Sequence, residues 1–135
     1  MPRVVESPVS FRVCGDDLDP GQVTALLGCA PTRAHAKGEQ IVTRSRPVTA
    51  RTGGWLLVSH EADTEDLDSR ILGLLARLPV DPAVWAQLSA RFRLDMFVGL
   101  YLASFNEGIE LRPETLRAMG ERGIVLGLDI YSVVD

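Results

Sequence analysis

Two cysteines and two histidines are the side chains of this 135-residue chain best suited to metal or nucleophilic chemistry: Cys14, Cys29, His35 and His60. Four such ligands match the number in a structural zinc site, but no pair has the close Cys-x-x-Cys or His-x-x-x-His spacing that those sites favour. Neither cysteine has an obvious activating neighbour, and buried thiols commonly serve as small apolar side chains. We therefore predict no metal site, no cofactor and no catalytic cysteine.

Acid–base chemistry has two candidate positions. Asp16 and Asp17 follow a predicted strand, where adjacent carboxylates can coordinate a hard cation, although they lack the repeated spacing of a calcium loop. Turn formation and helix capping explain the pair more simply, because Asp bonds its own backbone readily in turns. His60 beside Glu61 offers a second acid–base pair, but no nucleophile or electrophile accompanies either position. An acid–base enzyme is therefore the least favoured function, and no catalytic residue is assigned.

Charge is distributed unevenly along the chain. The formal net charge is -4, which argues against a protein whose affinity rests on contacts to nucleic-acid phosphates. An acidic run from Glu61 to Asp68 comes directly after a basic segment, so the two either face one another or stay solvated, unless one of them binds a partner. The basic segment, residues 31–52, has five basic side chains against Glu39 alone: Arg33, Lys37, Arg44, Arg46 and Arg51.

Two binding sites follow as hypotheses. A small anionic ligand would stack on Trp55 and be held by four side chains of the basic segment: Arg33, Lys37, Arg44 and Arg51. A lone Trp that opens a strand is, as a rule, a core residue, so the stacking role has a simpler alternative. A protein partner would instead contact the acidic start of a helix and the aromatic residues of a sheet face: Glu65, Asp66, Asp68, Phe97, Tyr101 and Tyr131.

The elements that must position these residues alternate between strand and helix. Alternating apolar residues predict strands over 9–14, 55–60, 94–103 and 124–131, with a short strand at 41–42. Two similar phrases, Leu18-Asp19-Pro20 and Leu111-Arg112-Pro113, each start a helix, because Pro suits the first helical position. Further helices are predicted over 67–78 and from residue 82. The likeness of the two phrases suggests two related strand–helix halves.

The two long strands each have an aliphatic face and a mixed face. Successive side chains point to opposite sides of a sheet. The even-numbered residues are aliphatic, whereas the odd-numbered residues of each strand include one Asp, one Gly and one Tyr. We expect the aliphatic side to pack on helices. The mixed side, with Phe97, Tyr101 and Tyr131, is either covered by residues 30–53 or open as a ligand groove, and coverage is the simpler expectation.

Short motifs spread along the chain resemble one known family. They are Phe11, Gly15-Asp16-Asp17-Leu18-Asp19-Pro20, Leu27-Gly28, Pro31-Thr32, Lys37-Gly38, Thr52-Gly53-Gly54-Trp55 and the closing Leu128-Asp129-Ile130-Tyr131. In that order they resemble the bacterial family called domain of unknown function 4279, over nearly the whole chain. The resemblance implies a small single-domain α+β bacterial protein, and it brings no established activity or catalytic residues.

The sequence thus predicts one domain over residues 1–135 of class α+β. We expect an antiparallel or mixed sheet of four to six strands, helices mainly on one face and a ferredoxin-like arrangement of two related halves. The longest uncharged apolar stretch, 96–105, is about half the roughly 20 residues that span a membrane. Two cysteines and an N-terminal segment without an apolar run favour the cytoplasm. We expect a monomer or homodimer, with neither nucleic acid nor membrane as partner. The preferred function is a non-catalytic protein-interaction module of inhibitor or immunity type, and the alternative is a small anionic ligand-binding domain.

Overall fold

The computed structural model describes residues 4–42, 45–59, 66–102 and 108–132. These residues form four helices and seven strands. In chain order they are β1 (Val4–Gly15), α1 (Pro20–Leu27), β2 (Arg33–His35), β3 (Gln40–Val42), β4 (Pro47–Thr49), β5 (Gly53–Val58), α2 (Leu67–Leu75), α3 (Pro82–Arg91), β6 (Arg93–Leu102), α4 (Pro113–Glu121) and β7 (Val125–Ser132). No helix in these segments has the length and apolar content needed to cross a membrane.

Five of the strands form one mixed sheet in the order β2-β5-β1-β6-β7, and β3 pairs with β4 in a separate two-stranded ribbon. Strand β1 is central and runs antiparallel to both of its neighbours, β5 and β6. Strands β6 and β7 are parallel, so their connection must cross over the sheet, and α4 lies in that connection. The predicted α+β class with a mixed sheet of four to six strands is confirmed.

The two strand–helix halves are alike at their helix starts but differ in strand direction. In the first half β1 and β5 are antiparallel neighbours, whereas in the second half β6 and β7 are parallel neighbours. A ferredoxin-like arrangement requires two equivalent split β-α-β units. That finer expectation is therefore corrected, because among the described strands the parallel pair is β6 with β7, at one edge of the sheet.

Asp and Pro residues define the starts of two helices. Asp19 and Asp81 each precede a Pro, and their side chains accept hydrogen bonds from the backbone N–H groups of Gly21 and Ala83 at 2.9 and 3.0 Å. They thus satisfy donors that no helical carbonyl reaches. Helix α1 ends at Gly28, whose φ of 64° is left-handed and favours a residue without a Cβ.

All four helices lie on one face of the sheet, as predicted, and the core fills the space between the two layers. Phe11 of β1 is at its centre, with its ring centroid 6.1 Å from that of Trp55 and 5.7 Å from that of Trp85, both edge-on. Edge-to-face pairs of this kind contribute about 1 kcal/mol each beyond the burial of the rings. The even-numbered residues of β6 are buried on this face, as their alternation predicts: Leu94, Met96, Val98 and Leu100.

The same face of β7 is only partly covered by helices. Leu126 packs against the core, but Leu128 is 45% exposed and Ile130 is 57% exposed. The expectation that the aliphatic side of both long strands packs on helices is therefore correct for β6 and wrong for the second half of β7. Strand β7 leaves apolar surface at the edge of the sheet.

Candidate functional site

The face of the sheet opposite the helices carries a row of charged and apolar side chains. Strand register places Arg33 of β2 beside Leu56 of β5, and Leu56 beside Arg12 of β1. Arg12 in turn lies beside Asp95 of β6. Laterally paired residues point to the same face of a sheet. Two guanidinium groups therefore flank one leucine on the helix-free face, and a carboxylate ends the row.

A groove of about 650 Å³ lies over this row. The sheet forms its floor, and β3 of the two-stranded ribbon supplies a wall that includes Ile41. Within the described part of residues 30–53, the stretch 33–42 thus borders the helix-free face and leaves the groove open. Cys14, His35, Glu39 and Phe97 also line the groove.

Arg12 is held in place by two neighbouring side chains. Its Nε lies 2.7 Å from Asp95 Oδ1 and its Nη2 lies 2.8 Å from Asp95 Oδ2, the paired geometry of a strong guanidinium–carboxylate contact. Its guanidinium carbon is 4.5 Å from the centre of the Phe97 ring. The hydrogen bond to Asp95 raises the pKa of Arg12 above its ordinary value. Because this pair does not use Nη1, Arg12 keeps an oriented donor at the groove.

A second row crosses the groove two residues away from the first on each strand. His35, Gly54 and Cys14 are lateral neighbours on β2, β5 and β1. A Cβ at Gly54 would lie 3.0 Å from His35 Cε1, so the missing side chain lets the imidazole approach the sheet. Burial, with a further contribution from Asp95, raises the pKa of the Cys14 thiol. The thiol is therefore protonated at neutral pH and is a poor nucleophile.

The basic segment does not converge on one site. Arg33 lines the groove, whereas Lys37 lies 3.6 Å from Asp16 in an ion pair between exposed side chains. Arg51 is exposed and is not among the residues that line the groove. Arg44 lies outside the described residues. Of the four predicted anion-binding side chains, the structure thus places Arg33 at the groove.

The predicted stacking role of Trp55 is wrong, because its ring lies in the core. The side chain points to the helix side of β5 and is 1% exposed. Its indole N–H donates to Thr24 Oγ1 at 3.0 Å, and its ring is edge-on to Phe11. A buried indole satisfied in this way positions α1 on the sheet, and Trp55 borders the groove with almost none of its side chain accessible to a ligand.

The predicted acidic surface is corrected in part. Asp68 is 6% exposed. It accepts a hydrogen bond from Arg112 N at 2.9 Å and lies 3.5 Å from Arg112 Nε. It joins α2 to the start of α4 and is wrong as a partner-contact residue. Asp66 is exposed and caps α2, where its hydrogen bonds with Ser69 lower its pKa. Glu65 lies outside the described residues.

The three predicted aromatic contact residues lie on the helix-free face. Phe97 is half-buried in the groove beneath Arg12. Tyr101 and Tyr131 are lateral neighbours on β6 and β7, and their rings stack with centroids 4.7 Å apart. They are 40% and 44% exposed. The Tyr131 hydroxyl donates to Asp129 Oδ2 at 2.5 Å, and this hydrogen bond raises the pKa of Tyr131.

The candidates for metal and acid–base chemistry are dispersed. Asp16 and Asp17 are exposed and form surface ion pairs near the turn after β1. Cys14 lies in the groove, whereas Cys29 follows α1, and both thiols are free. Across the described segments, no three His, Cys, Asp or Glu side chains come together as a metal-binding group. His60 lies outside those segments.

The sequence alone did not single out Arg12 or Leu56, the centre of the groove floor. The alternation of side chains along β1 was the available signal for Arg12, because it lies between the core residues Phe11 and Val13 and must point to the other face. A buried carboxylate at Asp95 also requires a cationic or hydrogen-bonding partner. That partner becomes Arg12 only once β1 and β6 are known to be neighbours, which periodicity does not reveal.

Comparison with curated proteins and with solved structures found no significant match. The sequence does match the family described as Domain of unknown function (DUF4279), over residues 5–133. The matched range contains nearly all of the described chain, including both sheets, the four helices and the groove. This chain is therefore a member of the Domain of unknown function (DUF4279) family.

Proposed function

We propose that this chain is a binding domain for a small molecule that has an apolar body and one anionic group, and that the groove on the helix-free face is its site. The observation that carries the proposal is the lateral row of Arg33, Leu56 and Arg12 on the groove floor. Two guanidinium groups on either side of an apolar side chain match a ligand of mixed character. This row favours the ligand-binding alternative over the protein-interaction module as the first function to test.

The size and lining of the groove support a small-molecule ligand. Its volume of about 650 Å³ falls within the roughly 300–1,000 Å³ of typical ligand pockets. Leu56, Ile41 and Phe97 offer apolar contact for the body of the ligand. Each Å² of apolar surface removed from water contributes about 25 cal/mol, so the apolar body would supply most of the affinity.

The charges around the groove favour a single anionic group. Arg33 is exposed at the rim and supplies a positive charge. The charge of Arg12 is offset by Asp95, so Arg12 contributes a directed N–H more than net attraction. Glu39 also lines the groove and would repel a ligand with several negative charges.

Anilinonaphthalene sulfonate, which joins an aromatic body to one sulfonate, is a direct probe of the groove. We expect saturable fluorescence enhancement, and we expect Arg33→Gln to weaken the Kd about tenfold by removing a charge-assisted hydrogen bond. Arg51→Gln is the matched control, because Arg51 is an exposed arginine of the same basic segment outside the groove lining. Equal weakening by both variants, or binding that does not saturate, would contradict the proposal.

A protein-interaction module is the second candidate function, and the exposed stack of Tyr101 on Tyr131 favours it. Tyrosine is enriched among the residues that dominate protein interfaces. An inhibitor or immunity-type role would use this surface, because Asp68 is buried. Tyr101→Ser would then lose a partner that Leu116→Ser, a change at a similarly exposed residue of α4, retains. Retention of the partner by both variants would argue against this function.

We place either function in the bacterial cytoplasm as part of the same proposal. Family membership and the free thiols of Cys14 and Cys29 support this location. Both thiols should be alkylated when cells are lysed directly into denaturant that contains the reagent, because unfolding exposes Cys14 as well as Cys29. Thiols protected by a disulfide at that point would contradict a reducing compartment.

A further inference from the structure

The two edges of the main sheet differ in length and character. One edge is β2, which has three residues and carries Arg33 and His35 on the helix-free side. Short, polar edge strands resist pairing with another chain. The opposite edge is β7, which has eight residues. Within the described residues, no strand pairs with the outer side of β7.

Strand β7 lacks the usual protection of an exposed edge. It contains neither Lys nor Pro, and the carboxylate of Asp129, its one charged side chain, accepts the hydroxyl of Tyr131. Apolar and aromatic side chains are between 44% and 57% exposed on its two faces: Val125, Leu128, Ile130 and Tyr131. A long edge with apolar side chains on both faces is a template for another strand.

We propose that β7 pairs antiparallel with β7 of a second copy of this chain, around a two-fold axis at Leu128. An axis perpendicular to the sheet keeps the helix side of both copies on the same side. The two sheets then form one continuous sheet with every helix on one face. The interface is made by the same residues in both copies, so it goes beyond the proposed ligand site and does not depend on it.

On the helix side of the sheet, this axis places apolar residues opposite one another. Leu128 lies opposite its own copy, and Ile130 lies opposite Leu126 of the second copy. Cross-strand pairs of this kind stabilise a sheet by roughly 0.2–1 kcal/mol each. The pairing covers the surface of Leu128 and Ile130 that the helices leave open.

On the helix-free side, the same axis avoids like charges. Tyr131 lies opposite Val125 of the second copy, and Asp129 lies opposite Gly127, which leaves room for the carboxylate. An axis at Asp129 would instead place two carboxylates directly opposite one another, which is destabilising. An axis at Gly127 would leave fewer residues of the two β7 strands paired. A slip of one strand by one residue would place side chains from different faces of the sheet opposite one another. The sequence of β7 therefore selects the axis at Leu128.

Cysteine cross-linking tests both the interface and its register. In a Cys14→Ser and Cys29→Ser background, we expect Leu128→Cys to form an intermolecular disulfide under mild oxidation. Directly opposed residues of an antiparallel pair have Cα atoms about 4.5 or 5.5 Å apart, within the range of a disulfide. Ile130→Cys is the matched control, because its two copies would be about 13 Å apart along the strands.

A mixture of Ile130→Cys with Leu126→Cys should restore the cross-link, since the axis places these residues opposite one another. Equal cross-linking of Ile130→Cys alone and Leu128→Cys would overturn the register. Sedimentation gives an independent readout: we expect a dimer for the unmodified chain and a monomer for Leu128→Lys. Val80→Lys, at an exposed apolar residue outside β7, should remain a dimer. A monomeric unmodified chain at about 100 µM, well above a micromolar Kd, would overturn the proposal.

Discussion

Arg12 and Asp95 form a two-pronged ion pair that joins the central strand β1 to β6 across 83 positions of sequence. The Asp95 side chain is 6% exposed, whereas the Arg12 side chain is 39% exposed. Asp95 is thus a buried charge whose main partner reaches it from the groove. Arg93 Nε also lies 3.8 Å from Asp95 Oδ2, so a second cation is close by. The pair both stabilises the sheet and sets the position of Arg12 in the groove.

Arg12→Gln should lower the free energy of unfolding by about 2 kcal/mol, because it leaves the buried Asp95 without its main partner. A double-mutant cycle with Asp95→Asn, followed by urea denaturation, should give a coupling energy of about 1–2 kcal/mol. Lys37→Gln with Asp16→Asn is the control cycle. That exposed pair should couple by less than about 0.5 kcal/mol, and equal coupling in both cycles would contradict the role given to burial.

Asp66→Ala should destabilise the protein by about 1 kcal/mol at pH 7, because Asp66 caps α2. The hydrogen bonds with Ser69 lower the pKa of Asp66, so the stabilisation is fully present above the unfolded pKa of about 4 and is lost as pH falls through the lower folded pKa. The difference between the wild type and Asp66→Ala should therefore shrink in acid. Asp66→Asn, which still caps, should show no such pH dependence, and a difference that persists at pH 2 would contradict this account.

Tyr131 should ionise at higher pH than an ordinary tyrosine, because its hydroxyl donates to Asp129. Tyr101→Phe leaves Tyr131 as the single phenol of the chain, so absorbance near 295 nm reports it alone. Asp129→Asn should bring the ionisation back toward the ordinary pKa of about 10. The neutral phenol stabilises the fold below that value, and the contribution is lost as pH rises through the raised folded pKa. Identical titrations with and without the Asp129 carboxylate would show that the hydrogen bond does not form in solution.

Gly53→Ala should destabilise the protein by about 1–3 kcal/mol, because it overpacks a closed site. A Cβ there would lie 2.8 Å from both Gly15 O and Leu18 Cβ. Gly73 is the matched control, because it is exposed inside α2 and a Cβ would meet nothing within 4 Å. Gly73→Ala should raise stability by about 0.5–1 kcal/mol through helix propensity. The same sign of change in both variants, measured by thermal unfolding, would contradict the packing described around Gly53.

Helix bounds are predictable from this sequence where their signals are local. The helix predicted to start at the Leu111-Arg112-Pro113 phrase is α4, which begins at Pro113 because Pro suits the first turn. Helix α2 ends at Leu75 instead of the predicted Leu78. The residues that follow it form hydrogen bonds that span three residues instead of four, from Arg77 N to Leu74 O and from Leu78 N to Leu75 O. Such turns commonly close a helix, so apolar spacing alone overestimates its length.

The beginning of β1 was missed because its alternation is interrupted. The predicted strand covers 9–14, but β1 runs from Val4 to Gly15. Pairing with β6 shifts register between Glu6 and Val9, around Pro8. Pro lacks the donor that a regular ladder needs and is tolerated at irregular positions. This break in register therefore hides the first part of a strand that the apolar pattern would otherwise reveal.

The groove was beyond prediction because it depends on strand neighbours that are distant in sequence. Arg33, Leu56 and Arg12 come from three strands, and their alignment follows from the sheet order β2-β5-β1. Charge clustering pointed to residues 31–52 as a unit, yet Lys37 pairs with Asp16 and Arg51 lies outside the groove lining, so neither joins Arg33 there. Local composition located the basic segment and could not assign its members to a site.

The central position of β1 also fixes the order in which the molecule can be assembled during synthesis. Strand β1 emerges from the ribosome before the other described strands, and β5 and β6 follow only after the intervening loops and helices have been made. One side of β1 can pair early, whereas its other side must wait for β6. Because most of the sheet depends on such distant pairings, folding is slow relative to a helical bundle of the same size. Until the ribosome has released β6, the side of β1 that pairs with β6 stays exposed to chaperones and to other nascent chains.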